Sequence, residues 1–200
     1  EMPRMAVTTR RHSGTTLPKR LTTLRVNHHG QDTIVFYSNS PYSNFYRSPM
    51  TFRGRKVLYA EQAFMIAKAI HSKHWSIIPR MVTCIDPAAV KRMGRNVLKN
   101  GTTPWTAEDV ASWNAASRAW MKEVLREKFT QNLHLKDRLL REFDGGPGAF
   151  AEVTPDDSLW ATGCSLDDFL RLPSSSLPGE NRLGALLTEL RNEWYFVEDE

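Results

Sequence analysis

Apolar and polar residues follow two different spacings along the chain, which predict a small β region followed by a series of helices. Residues 32–38 (DTIVFYS) alternate their apolar side chains between two faces, as a strand does. Residues 50–60 (MTFRGRKVLYA) predict a short hairpin with its turn at Gly54. Residues 60–71 (AEQAFMIAKAIH) hold four Ala together with Glu and Met and lack Gly and Pro, which favours a helix.

Capping residues mark the later helices. Asp86 and Thr106 are residue types that cap helix N-termini, and Asp109 can complete a box-like start with Thr106. The helices predicted after this first one cover residues 77–83, 86–95, 106–129, 133–143 and 180–194, with a loop over residues 170–179. The expected fold is therefore α+β and predominantly helical: a single domain over residues 31–200, with a small β element near its N-terminus.

The distribution of charge separates the N-terminal segment from the rest. The 200 residues are 40% hydrophobic and 24% charged, ordinary values for a globular domain. Residues 1–30 hold six basic residues against one acidic residue, so they carry the whole net charge of +5 and residues 31–200 are neutral. We expect a basic, disordered tail over residues 1–30; the alternative is a basic arm that contacts phosphates or directs targeting.

Composition also limits the compartment and the cofactors. No apolar run is as long as a membrane span, and the basic start lacks the apolar stretch of a signal peptide. Cys84 and Cys164 form neither a metal-ligand spacing nor a disulfide framework, which indicates an intracellular protein, cytoplasmic or nuclear. His71 and His74 have no Cys or acidic partner at zinc-site spacing, and the chain lacks a Gly-rich phosphate loop. We expect no metal, no cofactor and no membrane partner.

Several stretches carry residues suited to chemistry, although each has a plainer explanation. Glu61 and Lys68 are seven residues apart and share one stripe of a helix, but a helix-dipole carboxylate and a solvated lysine fit the same pattern. Asp157 stands in an acidic turn that could be structural only. Asn181 and Gly184 open the last helix, where free backbone N–H groups attract anions.

An aromatic and amide-rich loop is the least ordinary feature. Residues 35–52 hold six aromatic rings separated mainly by Ser, Asn and Pro. Such a loop suits a flat base and a ribose, because rings stack on bases while Ser43 and Asn44 can hydrogen-bond hydroxyls or base edges. The alternative is that Tyr42, Phe45 and Tyr46 only cover the edge of the core.

Taken together and in order, these motifs resemble the NADAR (YbiA-like) family over about residues 34–192, nearly the whole domain. The shared motifs are YSNF at 42–45, AEQAFMIAK at 60–68, KRMGR at 91–95, Trp113 with Lys128, Phe129, Gln131 and Asn132, DSLW at 157–160, and NRLGALLTELR at 181–191. The last of these is the most specific.

The resemblance implies an enzyme that hydrolyses N-glycosidic bonds. Some members act on phosphoribosylamino-pyrimidine intermediates of riboflavin synthesis, and others remove ADP-ribose from modified guanine in nucleic acid. It also implies a catalytic role at the positions of Glu61, Trp113 and Asp157, and Lys68 matches a lysine of the family motif. The residues expected to contact substrate are Tyr42, Ser43, Asn44, Phe45, Arg95, Trp113, Trp160, Asn181 and Gly184.

The chemistry of the bond assigns roles to the charged residues. Cleavage builds positive charge on the sugar, so one carboxyl would stabilise that charge and activate water while another protonates the departing base. Glu61 and Asp157 are expected in these two roles, in either order. Lys68 either holds a phosphate or ribose hydroxyl or, when deprotonated, attacks the opened sugar aldehyde.

Departures from the family pattern bear on the substrate. Gln62 and Ala63 replace a His and an aromatic residue, and residues 161–163 (ATG) replace a Gly-x-Gly segment after Trp160. We expect these positions around the pocket, where they would alter substrate choice. The favoured substrate is ADP-ribosylated guanine as a free nucleobase derivative or in DNA or RNA. The alternatives are the riboflavin intermediate and a non-catalytic ADP-ribose-binding module.

Overall fold

The structure is a computed structural model that describes residues 22–95 and 97–197. Helices dominate this part of the chain, which confirms the predominantly helical α+β class. Its strands are β1 (Thr23–His28), β2 (Gln31–Phe36), β3 (Arg47–Phe52), β4 (Arg55–Tyr59) and β5 (Ala149–Glu152). Its α-helices are α1 (Ala60–His71), α2 (Ile78–Thr83), α3 (Pro87–Arg95), α4 (Ala107–Gln131), α5 (Leu133–Arg141), α6 (Leu166–Arg171) and α7 (Arg182–Val197). None of these helices is both long and apolar enough to cross a membrane.

A three-stranded sheet in the order β1-β2-β5 carries one side of the fold. β1 and β2 are antiparallel, with Arg25 opposite Ile34. β2 and β5 are parallel, with Ile34 opposite Phe150. β5 was not predicted, because it is four residues long and its partner strand comes from a distant part of the chain.

Strand β1 corrects the predicted N-terminal boundary. Residues 23–28 fall inside the segment expected to be a tail, but Leu24 and Val26 pack against a small apolar cluster beside the sheet. Arg25 Nη2 also lies 2.6 Å from Asp32 Oδ2 on β2. A strand that packs one face and pairs with a neighbour belongs to the domain. The rest of the predicted tail, residues 1–21, lies outside the described residues.

Strands β3 and β4 form the predicted hairpin. Gly54 lies in its turn with φ of +76°, a conformation in which a side chain would be strained. Gln131, at the end of α4, fastens the hairpin to that helix: its amide accepts from Thr51 N at 2.7 Å and donates to Thr51 O at 2.8 Å.

Helix α1 is the central element of the core. Nine of its twelve residues are buried, because β4, α2, α3 and α4 all pack against it. This explains why its sequence is apolar on almost every face. Its first turn has no side-chain cap; instead the Glu61 N–H donates to the Asn44 carbonyl at 3.0 Å, which joins the helix to the aromatic loop.

The predicted caps of α3 and α4 are confirmed, and α6 is an addition. Asp86 Oδ1 accepts from Ala88 N at 2.9 Å, and Thr106 and Asp109 form the full capping box. Helix α6 overlaps the start of the predicted 170–179 loop. It forms because the Ser165 side chain caps it and two of its residues, Leu166 and Phe169, are buried.

Candidate active site

A cavity of about 470 Å³ opens between α1, α3, α4 and the segment that follows β5. Its polar lining includes Asn44, Glu61, Lys91, Arg95, Glu152, Asp156 and Asp157. Its apolar lining includes Phe45, Phe64, Met65, Met121 and Trp160. Six of the residues predicted to form a site therefore share one cavity: Asn44, Phe45, Glu61, Arg95, Asp157 and Trp160.

Glu61 presents its carboxyl from the first turn of α1, and the residue is only 4% exposed. Burial raises the pKa of this carboxyl to about 7; the charge of Lys91 opposes the shift and that of Asp157 adds to it. A carboxyl that titrates near neutral pH can take up or release a proton during a reaction. Glu61 therefore has the properties of an acid–base group.

The carboxylate of Asp157 is fixed by three contacts within the protein. Its Oδ1 accepts from the backbone N–H groups of Leu159 at 3.1 Å and Trp160 at 2.8 Å. Its Oδ2 lies 3.3 Å from Lys91 Nζ. These contacts fix the turn that carries Trp160 and place a negative charge at the wall of the cavity.

A third carboxyl, Glu152, was not predicted. It ends β5, lines the cavity and accepts a hydrogen bond from Ser43 Oγ at 3.4 Å. Burial raises the pKa of Glu152 to about 7, the charges of Asp157 and Glu61 add to the shift, and Lys91 opposes it. The signal in the sequence was a short apolar run, AFA, that ends in an acidic residue just before the turn of Asp157.

Two cations of α3 face these carboxyls. Lys91 and Arg95 are four residues apart, so they project from one side of the helix into the cavity lining. Lys91 Nζ lies 5.7 Å from the centre of the Phe45 ring as well as against Asp157. Only Arg95 was predicted, although the spacing of four residues could have identified Lys91.

Aromatic rings and one free acceptor complete the lining. The rings of Phe64 and Trp160 meet edge to face with centroids 5.1 Å apart, and Phe45 contributes a further ring. Asn44 is 6% exposed and donates through Nδ2 to Met121 Sδ at 3.4 Å. Its Oδ1 has no hydrogen-bond partner among the described residues. A buried acceptor without a partner is costly, so this oxygen is available to a ligand donor.

Tyr42 and Ser43 support the loop and do not line the cavity, which corrects their predicted role as substrate contacts. Tyr42 is fully buried and its hydroxyl donates to Glu142 Oε1. The Ser43 carbonyl accepts from the buried ammonium of Lys128 at 2.8 Å, and the Pro41 carbonyl accepts from the same group at 2.6 Å. These contacts hold the loop so that the next two residues, Asn44 and Phe45, reach the cavity.

Trp113 and Lys68 lie next to residues of the lining, Phe64 and Glu61, although neither belongs to the lining itself. Trp113 is 8% exposed and packs against Phe64 with ring centroids 5.2 Å apart. Lys68 Nζ lies 5.0 Å from the centre of the Trp105 ring and 5.9 Å from that of Trp113. Burial lowers the pKa of Lys68, and the charge of Glu61 opposes this. Among the described residues, no carboxylate lies within ion-pair distance of Lys68.

Asn181 and Gly184 hold β5 and do not bind at the cavity, which corrects the predicted anion site. Asn181 Nδ2 donates to Phe150 O at 2.9 Å and its Oδ1 accepts from Glu152 N at 3.1 Å. A Cβ on Gly184 would lie 2.1 Å from Phe150 O, so only glycine allows this approach. The nearby N–H groups that were expected to attract anions instead donate to the carbonyls of residues 159–161.

The departures from the family pattern also lie away from the cavity lining. Gln62 is fully buried, and its amide bridges Leu58 N to the carbonyls of Met81, Val82 and Cys84. Ala63, Ala161 and Thr162 are fully buried as well. The expectation that these positions surround the pocket is therefore wrong, because they form core contacts. No group of three or more His, Cys, Asp or Glu residues in the described chain is arranged to hold a metal ion.

Comparison with known proteins identifies the family of the chain. The model of the NADAR domain matches residues 31–194. The chain is 32% identical over 174 residues to N-glycosidase YbiA of Shigella boydii, covering 84% of this chain and 93% of that protein. It is 29% identical over 134 residues to N-glycosidase R617 of Acanthamoeba polyphaga mimivirus, covering 67% and 72%.

A solved structure shares the fold. The NMR structure of Escherichia coli YbiA matches with a TM-score of 0.63 and 26% identity, covering 91% of this chain and 94% of that one. Since the family model spans most of the described domain and the relatives align along most of their length, the chain belongs to the NADAR domain family.

Proposed function

We propose that this protein is an N-glycosidase that hydrolyses the bond between a ribose C1′ and the nitrogen of a base, with ADP-ribosylated guanine as its substrate. The observation that carries the proposal is the cavity that Glu61, with a pKa of about 7, shares with Asp157 and with the rings of Phe45, Phe64 and Trp160. The names of the relatives, N-glycosidase YbiA and N-glycosidase R617, support the same reaction class.

Glu61 is the group we assign to the attacking water. Cleavage of the C1′–N bond leaves positive charge on the ribose ring, and an ionised carboxylate beside C1′ stabilises it. The same carboxylate accepts the proton of the water that adds to C1′. The nearby charges of Lys91, Arg95 and Lys68 favour the ionised form that this role requires.

The lining supports recognition of a base and of phosphates. Phe45 and Trp160 offer flat surfaces on which a purine can stack. The free Oδ1 of Asn44 suits an N–H donor, which guanine presents on its Watson–Crick edge. Lys91 and Arg95 can neutralise phosphoryl oxygens at the same cavity.

The choice of ADP-ribosylated guanine over the pyrimidine intermediate rests on the basic residues of segment 1–21, which suit a nucleic-acid carrier. The free acceptor of Asn44 fits both, because an amino-pyrimidine also presents N–H donors. A phosphoribosylamino-pyrimidine would use the same cations and the same carboxylate, so it is the second candidate. A non-catalytic ADP-ribose-binding module is the third, and the retained Glu61 and Asp157 argue against it.

Lys68 supports the reaction in one of two ways. As an ammonium it favours ionisation of Glu61 and holds a ribose hydroxyl or phosphate. As a free amine it attacks the aldehyde of the opened sugar, and its lowered pKa without an ion-pair partner favours that form.

A parallel assay with both substrates tests the proposal. The wild-type protein is incubated with ADP-ribosylated guanosine, with an oligonucleotide carrying the same base, and with a phosphoribosylamino-pyrimidine; released base and sugar phosphate are quantified. Glu61→Gln serves as the inactive comparison and Glu108→Gln, on the exposed start of α4, as the matched surface control.

We expect release of free ADP-ribose from the guanine substrates, lost in Glu61→Gln and retained in Glu108→Gln. Faster release of the base from the phosphoribosylamino-pyrimidine would make that compound, and not ADP-ribosylated guanine, the favoured substrate. Tight ADP-ribose binding with no release from any substrate would support the binding module and refute the enzyme.

A further inference from the structure

We propose that Glu152 is the proton donor of the reaction, a catalytic residue that protonates the departing base nitrogen while Glu61 activates water. The proposal rests on the N-glycosidase function and adds a division of labour between Glu61 and Glu152, two of the four carboxyl residues that line the cavity.

The position of Glu152 meets the geometric requirement for a donor. It lies at the end of β5 with its side chain on the cavity, beside the hydroxyl of Ser43. Its carboxyl accepts a hydrogen bond from Ser43 Oγ at Oε1, but accepts no backbone hydrogen bond and forms no ion pair among the described residues, which leaves Oε2 available to a ligand. Asp157, in contrast, already has both oxygens occupied.

The charged groups around Glu152 favour its protonated form. Two carboxylates face it, Glu61 from α1 and Asp157 from the turn after β5, and both disfavour its ionisation. Lys91 of α3 opposes them, and Lys128 of α4 also interacts with it. Glu61 faces three cations, Lys91, Arg95 and Lys68, besides the carboxyls of Asp157 and Glu152, whereas Glu152 faces two carboxyls and two cations, so of the two groups Glu61 has the environment that better suits the base and Glu152 that of the acid.

The proposed reaction balances. The C1′–N bond breaks, its electron pair goes to the base nitrogen, and that nitrogen takes the proton of Glu152. The water oxygen bonds to C1′ and gives its proton to Glu61. The enzyme is left with Glu152 ionised and Glu61 protonated, and exchange with solvent restores both groups.

The backbone of Glu152 is fixed from two sides, which suits an acid that must meet a defined nitrogen. Its N–H donates to Asn181 Oδ1 at 3.1 Å and its carbonyl accepts from Thr162 N at 2.9 Å. Asn181, held close by Gly184, is a positioning residue in this scheme. The proposal thus assigns a purpose to the NRLG segment, which does not contact the cavity.

The test is the pH dependence of turnover in Glu152→Gln. In the wild type the rate should rise with pH as Glu61 ionises and fall again as Glu152 loses its proton, with both limbs near pH 7. Glu152→Gln should lower kcat by about 100-fold or more. Its remaining activity should lose the alkaline limb and keep the acidic one. Glu108→Gln should keep both limbs.

Chemical rescue makes the test independent of how well Glu152→Gln folds. Glu152→Ala removes the carboxyl and leaves space, so an added small buffer acid with a pKa of about 7, such as imidazolium, should restore part of the rate if a proton donor is missing. The same buffer acid should not rescue Glu61→Gln, where the group remains in place without its charge.

The outcomes separate this inference from the proposed function. No turnover by the wild type on any N-glycoside refutes the function itself. An active wild type together with an unchanged alkaline limb in Glu152→Gln overturns the role of Glu152 and leaves the function standing. A folded Glu152→Ala that the buffer acid does not rescue does the same.

Discussion

Replacing Glu61 with glutamine should remove activity and, at neutral pH and above, make the protein more stable. Glutamine preserves the shape of the side chain but cannot ionise, so it neither stabilises the ribose cation nor accepts a proton from water. We expect kcat to fall by about 100-fold or more, the usual effect of removing a general acid–base group.

The gain in stability follows from the pKa of the buried carboxyl. Glu61 is 4% exposed, and burial raises its pKa from the ordinary value of 4.5 to about 7. Because the folded protein holds the proton more tightly than the unfolded chain, ionisation of Glu61 costs nothing below the unfolded pKa. The cost grows as the pH rises to the folded pKa and then stays constant. The difference between the two pKa values corresponds to about 3 kcal/mol.

Urea unfolding of the wild type and Glu61→Gln across a pH series measures this cost. The free energy of unfolding of the variant minus that of the wild type should be about 3 kcal/mol larger at about pH 8 than at about pH 4, because the variant is the more stable protein at high pH. For a domain of this size the same change raises the melting temperature by about 6–12 °C. Glu108→Gln, on the exposed start of α4, should show no comparable pH dependence.

Two results would refute the reasoning separately. A stability difference that does not change between the acidic and alkaline ends of the series would mean that Glu61 is not held in a raised-pKa environment. Near-normal turnover by a folded Glu61→Gln would remove Glu61 from the chemistry, whatever its effect on stability.

Three further outcomes are expected. Trp113→Phe should lower the free energy of unfolding by about 1–3 kcal/mol in urea titrations, because the indole packs behind Phe64; unchanged stability with lost turnover would instead make it a direct substrate contact. Treatment with ADP-ribose and cyanoborohydride should add a sugar to Lys68, detected by mass spectrometry, and not to Lys128, whose ammonium is fully buried on two carbonyls; absence of the adduct would leave Lys68 a holding role. Deleting residues 1–21 should reduce activity on an ADP-ribosylated oligonucleotide at low salt and not on the mononucleoside; equal effects on both substrates would exclude a phosphate-binding arm.

The sequence predicted best where the causes of structure are local. The caps at Asp86 and Thr106 and the turn at Gly54 depend on neighbouring residues, so composition and spacing located them. Strand β5 depends on a partner far away in the sequence, and Glu152, which ends it, could not be assigned to a cavity without that partner.

The candidate site was predicted in part for the same reason. Motif order brought Glu61, Asp157 and Asn44 to attention, and folding places them on one cavity. The same motifs also contain residues that only hold the others in place, such as Tyr42 and Asn181. A motif shows that a residue type is required, whereas contacts are needed to show whether it touches a substrate or supports a neighbour that does.

The side-chain amide of Asn181 bonds to the edge of β5 where a further strand would otherwise pair. The segment just before Asn181 can therefore change in length without exposing that edge. The excursion from Thr162 to Gly179, which contains α6, returns to its own starting point, because Gly179 N donates to Thr162 O at 2.8 Å. Doubling the length of such a closed loop costs only about 0.6 kcal/mol of closure entropy. Insertions in its exposed part after α6, residues 173–176, therefore leave the end of β5 where it is, whereas Leu166 and Phe169 pack with Ala151 of β5 and must stay. This exposed part is the natural place for the chain to accept new segments, in evolution or by grafting.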